Sequence, residues 1–179
     1  MVPVSHINGG EWNGKTSQYF IPQSDTNKYQ SGDVVTTAYG TVDSVSQYYP
    51  AGLSQVTKVV SSRPNPRGVM TSVAPLLLNI DVQGVPASKT TGYVINVVDD
   101  PLVVFRIQCD NTTTLTPAIL GKYADFNLAT GPANTSGTQL ASATISTDGS
   151  LPLRILGLVD GDHSAYCDLL VCFNIHELG

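Results

Sequence analysis

Chemistry would need acids, imidazoles or thiols held close together, and a few stretches of the chain offer them. Asp99-Asp100 is a carboxylate pair, but adjacent residues in an extended chain point apart, so the two cannot readily share a substrate or a metal. With Pro101 behind it, the pair reads as a turn whose carboxylates accept backbone N–H groups. Asp160-Gly161-Asp162-His163 collects oxygen and imidazole donors in a loop, without the ligand count of a calcium loop or a third element at fixed spacing. His6 and His176-Glu177 have no partner at zinc-type spacing, and solvated chain ends account for them. Cys109, Cys167 and Cys172 lie in apolar strands rather than at a helix N-terminus, where a thiol would be activated. The offset of five between Cys167 and Cys172 puts them on opposite faces of a strand, which makes a poor metal pair. No Gly-x-Ser-x-Gly elbow and no phosphate-cradling Gly-x-x-x-x-Gly-Lys occurs. The expectation is a protein without catalytic, cofactor or metal residues, and not an enzyme.

The elements around these residues read as strands. Tyr93 to Asp110 is the densest apolar stretch, broken once by Asp99-Asp100-Pro101. The pattern predicts two strands, 93–98 and 102–109, joined at a tight corner, with Val103, Phe105, Ile107 and Cys109 sharing a face. Residues 34–39, 56–60, 68–73, 76–82, 138–147 and 151–155 are further strands, and Asp148-Gly149 is a turn. Residues 118–128 are open between a short helical turn and a strand. The closing strand alternates most cleanly, with Cys167, Leu169, Val171, Phe173 and Ile175 on one face. Short strands punctuated by turns predict an all-β chain, an antiparallel sandwich or barrel of jelly-roll type over residues 32–179.

Residues 1–31 show neither period and are rich in Asn, Gly, Gln, Ser and Lys. They read as an extended N-terminal arm with Trp12, Tyr19 and Phe20 as its main aromatic points. Such an arm either lies across its own barrel or reaches a partner. Isolated aromatics could stack on sugar rings, though they more often serve packing or interfaces.

Charged residues make up 13% of the chain, about half the usual globular share. Polar bulk comes from Ser, Thr, Asn, Gln and Gly, leaving a weakly charged surface that is poorly protected against association. Nine Lys and Arg scattered singly against a net charge of −5 speak against direct nucleic-acid binding. No apolar run reaches the length of a membrane helix, and Met1-Val-Pro-Val-Ser-His lacks the charged and apolar regions of a secretory signal. Three cysteines within apolar strands suit buried free thiols made in a reducing cytoplasm. Asn111-Thr-Thr and Asn134-Thr-Ser match the glycosylation pattern, as chance matches in a Thr-rich chain.

Three stretches in order carry a resemblance: Gly32-Asp-Val-Val35, then Tyr93-Val-Ile-Asn-Val-Val-Asp-Asp-Pro-Leu-Val-Val-Phe-Arg-Ile-Gln108, then Leu151-Pro-Leu-Arg-Ile-Leu-Gly-Leu158 before a terminal apolar strand. The chain resembles small structural proteins of tailed bacteriophages, the capsid decoration or cement proteins. The resemblance spans most of residues 30–179, and Asp-Asp-Pro-x-Val-Val-Phe-x-x-Gln is its most specific part. It implies a virion protein, commonly a homotrimer, that is made in the host cytoplasm and sits on the capsid exterior. There it would bridge neighbouring major capsid protein subunits and stabilise the assembled shell. The matched motifs carry no catalytic residue. On this expectation Trp12, Tyr19 and Phe20 are the partner-binding anchors of the arm. The alternative is a glycan- or receptor-binding module of a phage tail or fibre.

Overall fold

The computed structural model describes residues 1–38, 52–60, 65–74, 84–110, 115–129, 131, 135–159 and 166–178. Thirteen strands are found among them: β1 (Val2–His6), β2 (Ser17–Ile21), β3 (Tyr29–Gln30), β4 (Val34–Thr37), β5 (Val56–Lys58), β6 (Gly68–Val73), β7 (Gly84–Val85), β8 (Tyr93–Val98), β9 (Val103–Gln108), β10 (Tyr123–Leu128), β11 (Thr138–Ser146), β12 (Leu153–Leu158) and β13 (Asp168–Phe173). The two possibilities for 118–128 are both realised in turn: a 3-10 turn at Pro117–Ile119 precedes β10. The expected strand at 76–82 and Tyr39 of the expected 34–39 strand lie outside the described residues.

The strands form an all-β, antiparallel sandwich. A six-stranded sheet runs β1-β9-β13-β12-β10-β11, a five-stranded sheet runs β2-β8-β6-β4-β5, and β3 and β7 make a short ribbon. The six-stranded sheet curls towards closure: Cys109, just past β9, bridges Leu140 of β11, and the Asp110 N–H donates to the Leu140 carbonyl at 3.0 Å.

The central apolar stretch is the seam between the sheets. β8 and β9 are consecutive in sequence, yet β8 belongs to the five-stranded sheet and β9 to the six-stranded one. The intervening Asp99-Asp100-Pro101 corner carries the chain across. The Asp100 carboxylate accepts the Leu102 N–H at 2.8 Å, the local turn bond expected of this residue.

Residues 1–31 follow the same route. β1 pairs with β9 in one sheet and β2 pairs with β8 in the other. Residues expected to form an arm thus contribute strands to both sheets. The missing period has a simple cause. Tyr19, Phe20 and Ile21 are all buried, so no polar residue alternates with them.

Alternation sends the five-stranded sheet into two cores. Val34, Val69 and Val98 join the main cluster with Phe105, Leu140, Ile155 and Val171. Their sequence neighbours Val35, Met70 and Val97 join a second cluster with Tyr29, Val85 and Ile95. Phe173 anchors the main core, its ring 5.2 Å from Phe105 and 6.4 Å from Phe126. Each fully buried aliphatic or Phe side chain contributes about 1.5–3 kcal/mol of transfer free energy.

Close strand approach needs Gly68 at the start of β6. A Cβ there would lie 2.3 Å from the Val98 carbonyl oxygen and 2.7 Å from a Val97 methyl. Gly149, in the turn after Asp148, faces open space. Gly68→Ala is therefore expected to destabilise the fold by about 1–3 kcal/mol through overpacking against backbone. Gly149→Ala should stay within about 0.5 kcal/mol of the parent. Urea unfolding midpoints of the two variants test the contrast, and equal midpoints would contradict the packing described.

Candidate functional site

The anchors expected on the arm are engaged inside the molecule. Tyr19 is 3% exposed and belongs to the second core. Phe20 is 8% exposed and packs with Ala74 and Val94, its ring directly over Gly92, where an added Cβ would come within 2.3 Å. Trp12 is half-buried against the main core. This corrects the expectation of a partner-binding role for Tyr19 and Phe20. As inward residues of β2 they fill cores that the sheet must cover, so neither ring is presented to a partner.

Asp99 and Asp100 diverge, as their adjacency predicts. Asp99 accepts the Tyr19 hydroxyl at 2.7 Å and the Ser17 hydroxyl at 3.0 Å, tying the corner to β2. Arg67 completes the group: its Nε donates to the Tyr19 oxygen at 2.6 Å and its terminal nitrogen lies 3.9 Å from Asp99. Burial, then the hydrogen bond to Asp99, push the Tyr19 phenol up to about 12. It stays a neutral donor at any physiological pH. Asp100 instead faces His6, whose Nδ1 is 3.8 Å away.

Two further acids are engaged in the same manner. Asp25 accepts the Tyr29 hydroxyl at 2.6 Å and the Thr57 hydroxyl at 2.8 Å, with the Lys89 ammonium 3.6 Å away. Lys89 also donates to the Asp25 and Asn27 carbonyls, which closes the 25–28 loop. Burial lowers its pKa, and Asp25 opposes that shift. Asp33, fully buried, takes the Gln30 N–H at 2.8 Å, the Lys58 ammonium at 2.7 Å and the Ser136 hydroxyl. These are buried charges with several donors each, the condition under which a charge is tolerated inside a protein.

His176 and Glu177 are not solvated ends, which corrects that expectation. The C-terminal residues pass from β13 to the five-stranded sheet. There the Glu177 carboxylate accepts the Thr36 and Thr37 hydroxyls and, at 2.9 Å, the Thr37 N–H. His176 is buried, its ring 5.7 Å from Phe173, and its Nδ1 accepts the Leu178 N–H at 3.0 Å. The neutral ring then carries its proton on Nε2, which has no partner among the described residues. Burial holds its pKa below the ordinary histidine value.

No disulfide joins the three cysteines, and all three thiols are buried. Burial pushes Cys109 up to about 11 and Cys172 up as well, which suppresses the thiolate that nucleophilic work requires. Burial also pushes Asp110 up, but donors outweigh it and hold its carboxyl below the usual value: the Ser142 N–H at 2.9 Å and the Asn127 amide at 2.9 Å. The loop at 160–163 lies outside the described residues.

What remains outward is an apolar edge. β1 ends the six-stranded sheet, and Val2 (60% exposed), Val4, Ile7 and the adjoining Leu102 (48%) are four of the eight large apolar side chains exposed among the described residues. Ile7 lies beside Leu102, donating its N–H to the Leu102 carbonyl at 2.8 Å, while Val2 and Val4 stand further along β1, Val2 opposite Arg106 of β9. Part of β1 bridges back to Glu11 at Ser5. Exposed apolar side chains on an edge strand suit a contact surface. The sequence signal for it is Val2-Pro3-Val4-Ser5, a short alternation hidden by the polar residues that follow.

Comparison with known proteins matches the chain to no family model, no curated protein and no solved structure.

Two outcomes follow from this geometry. Tyr19→Phe removes the hydroxyl between Asp99 and Arg67 and should cost about 1–2 kcal/mol in urea unfolding, while Trp12→Phe costs less. Because the folded state depresses the His176 pKa, the unfolded chain binds that proton first as pH falls. The contribution is whole above about pH 6.5 and declines below it. His176→Gln should therefore flatten the loss of stability between pH 6.5 and 5, measured as thermal midpoints across that range.

Proposed function

We propose that this chain is a structural protein of a tailed-bacteriophage virion. It decorates the exterior of the assembled capsid as a homotrimer and stabilises it by bridging major coat subunits. The observation that carries the reading is the apolar edge of β1 with Leu102, set on a sandwich whose inner acids are tied to donors. Such a surface favours adhesion, and the sheets behind it resist deformation. The stretch from Asp99 to Gln108, the most specific part of the resemblance to decoration proteins, runs through the corner and along β9, the strand that pairs with β1.

The energetics suit the role. A protein that binds the assembled shell and not its free subunits shifts assembly by mass action, by about 2.7 kcal/mol per site at a hundred times its dissociation constant. Three linked copies add avidity without new contacts. Low surface charge leaves little repulsion between closely set neighbours.

Co-sedimentation of the purified chain with emptied capsids of its own phage tests the proposal. Saturable binding to assembled shells, absent with unassembled coat protein, is expected. Val2→Asp with Leu102→Asp should weaken that binding more than tenfold while leaving the unfolding midpoint within about 0.5 kcal/mol, since both residues are exposed. Binding to host cells or their polysaccharide in place of shells would favour a receptor- or glycan-binding module and overturn the decoration role.

A further inference from the structure

Two of the three buried cysteines face one another across a strand pair. β9 and β13 run antiparallel with Gln108 opposite Asp168. One residue further along that register, Cys109 stands opposite Cys167, and the Cys109 N–H donates to the Cys167 carbonyl at 2.9 Å. Opposed residues of such a hydrogen-bonded pair have Cα atoms about 5.5 Å apart, inside the roughly 4.4–6.8 Å that a disulfide spans. Both side chains belong to the main core, so they leave the sheet on the same face. Cys172 is on the other face: it pairs with Arg154, is offset from Cys167 by five residues, and is absent from that core.

From this register we infer that Cys109 and Cys167 are a latent disulfide, reduced in the closed fold and joined when the protein meets a low-molecular-weight disulfide such as oxidised glutathione. Bridging needs the two β-carbons, about 5.5 Å apart in an ideal pair of this kind, to close by roughly 1–2 Å. The position allows it, because Cys109 lies just past the last residue of β9 and Cys167 just before the first of β13. Strand ends open at lower free energy than strand centres, and the same opening admits the oxidant.

The chemistry balances as two exchanges. One cysteine thiolate attacks a sulfur of the oxidised glutathione, forming a mixed disulfide and expelling one glutathione thiolate. The second cysteine thiolate then attacks the protein sulfur of the mixed disulfide and expels the other glutathione. Two protein thiols are oxidised, one glutathione disulfide is reduced, and the two thiol protons end on the two glutathione molecules. The bond would tie β9 to β13 beside the point where the six-stranded sheet curls back on Leu140. It does not depend on what the protein binds, so its failure would leave the decoration proposal standing. A protein that leaves a reducing cytoplasm passes through the change of conditions that would set the bond.

The experiment uses the full chain, purified reduced and incubated with oxidised glutathione. Thiols are counted after denaturation in acid and alkylation, and the disulfide is located by peptide mapping. The count should fall from three to one, the mass by about 2 Da, and the link should map to Cys109 and Cys167 with Cys172 alkylated. With Cys109 as the attacking group the rate should rise about tenfold per unit between pH 7 and 9, because burial keeps that thiol mostly protonated there. The thermal midpoint of the oxidised chain should rise by roughly 5–10 °C and return on reduction. Cys172→Ala should preserve the loss of two thiols, while Cys109→Ala and Cys167→Ala abolish it. Should either alanine variant fail to fold, the map of the parent protein decides alone. Three thiols surviving prolonged incubation at pH 9, a stable mixed disulfide at one cysteine, or a link that includes Cys172 would each overturn the inference.

Discussion

The structure depends on a five-stranded sheet that is buried on both faces. Strands β4, β6 and β8 each send alternate residues to two separate cores, Val34, Val69 and Val98 to one and Val35, Met70 and Val97 to the other. Where both faces are covered, at Val34-Val35, Val69-Met70 and Val97-Val98, successive residues are therefore apolar. The sheet also leaves little room between strands, which is why β6 opens with a glycine against the Val98 carbonyl. The six-stranded sheet covers one side and the β3–β7 ribbon packs residues into the other.

Three acids of this interior are each held by several donors at once. Asp99, Asp25 and Asp33 each gather hydroxyls and a cation from distant parts of the chain. Leaving any of these acids without its donors would cost far more than a single hydrogen bond contributes, so the network acts on uniqueness as much as on stability. Asp99, one of the pair that stands out in the sequence, thus fastens the corner to β2, and Asp25 and Asp33 fasten loops in the same way. Glu177 does the same at the C-terminal side, where one carboxylate closes the end of the chain onto β4.

Functional meaning lies at the margins of this frame. β1 is held on one side by β9 and leaves Val2 and Val4 exposed, with Ile7 and Leu102 exposed beside one another past its end. A sheet-built body with exposed apolar residues on its edge strand suits the proposed role of clamping a shell. The thiols sit at the other end of the β9–β13 pair, where strand ends meet loops and exchange chemistry can reach a core otherwise closed to it.

Local features of the chain were enough for the fold class and for the strands at its centre. Period-two alternation and turn residues set strand identity residue by residue, so 68–73, 93–98 and the 99–101 corner were legible. The same alternation placed Cys167 and Cys172 on opposite faces. Pairing is another matter, because a strand's pattern says that it needs a partner but not which one. The N-terminal residues read as an arm because a strand buried on both faces loses its alternation, and only the contacts of β2 with β8 reveal why. Glu177 and Thr36 are 141 residues apart, Ser17 and Asp99 are 82, and neither meeting leaves a trace in local spacing. Tertiary structure alone decided that Tyr19 and Phe20 face inward, that His176 is buried, and that Cys109 meets Cys167. The reason is that burial and pairing are properties of two segments brought together, whereas propensity and period belong to one.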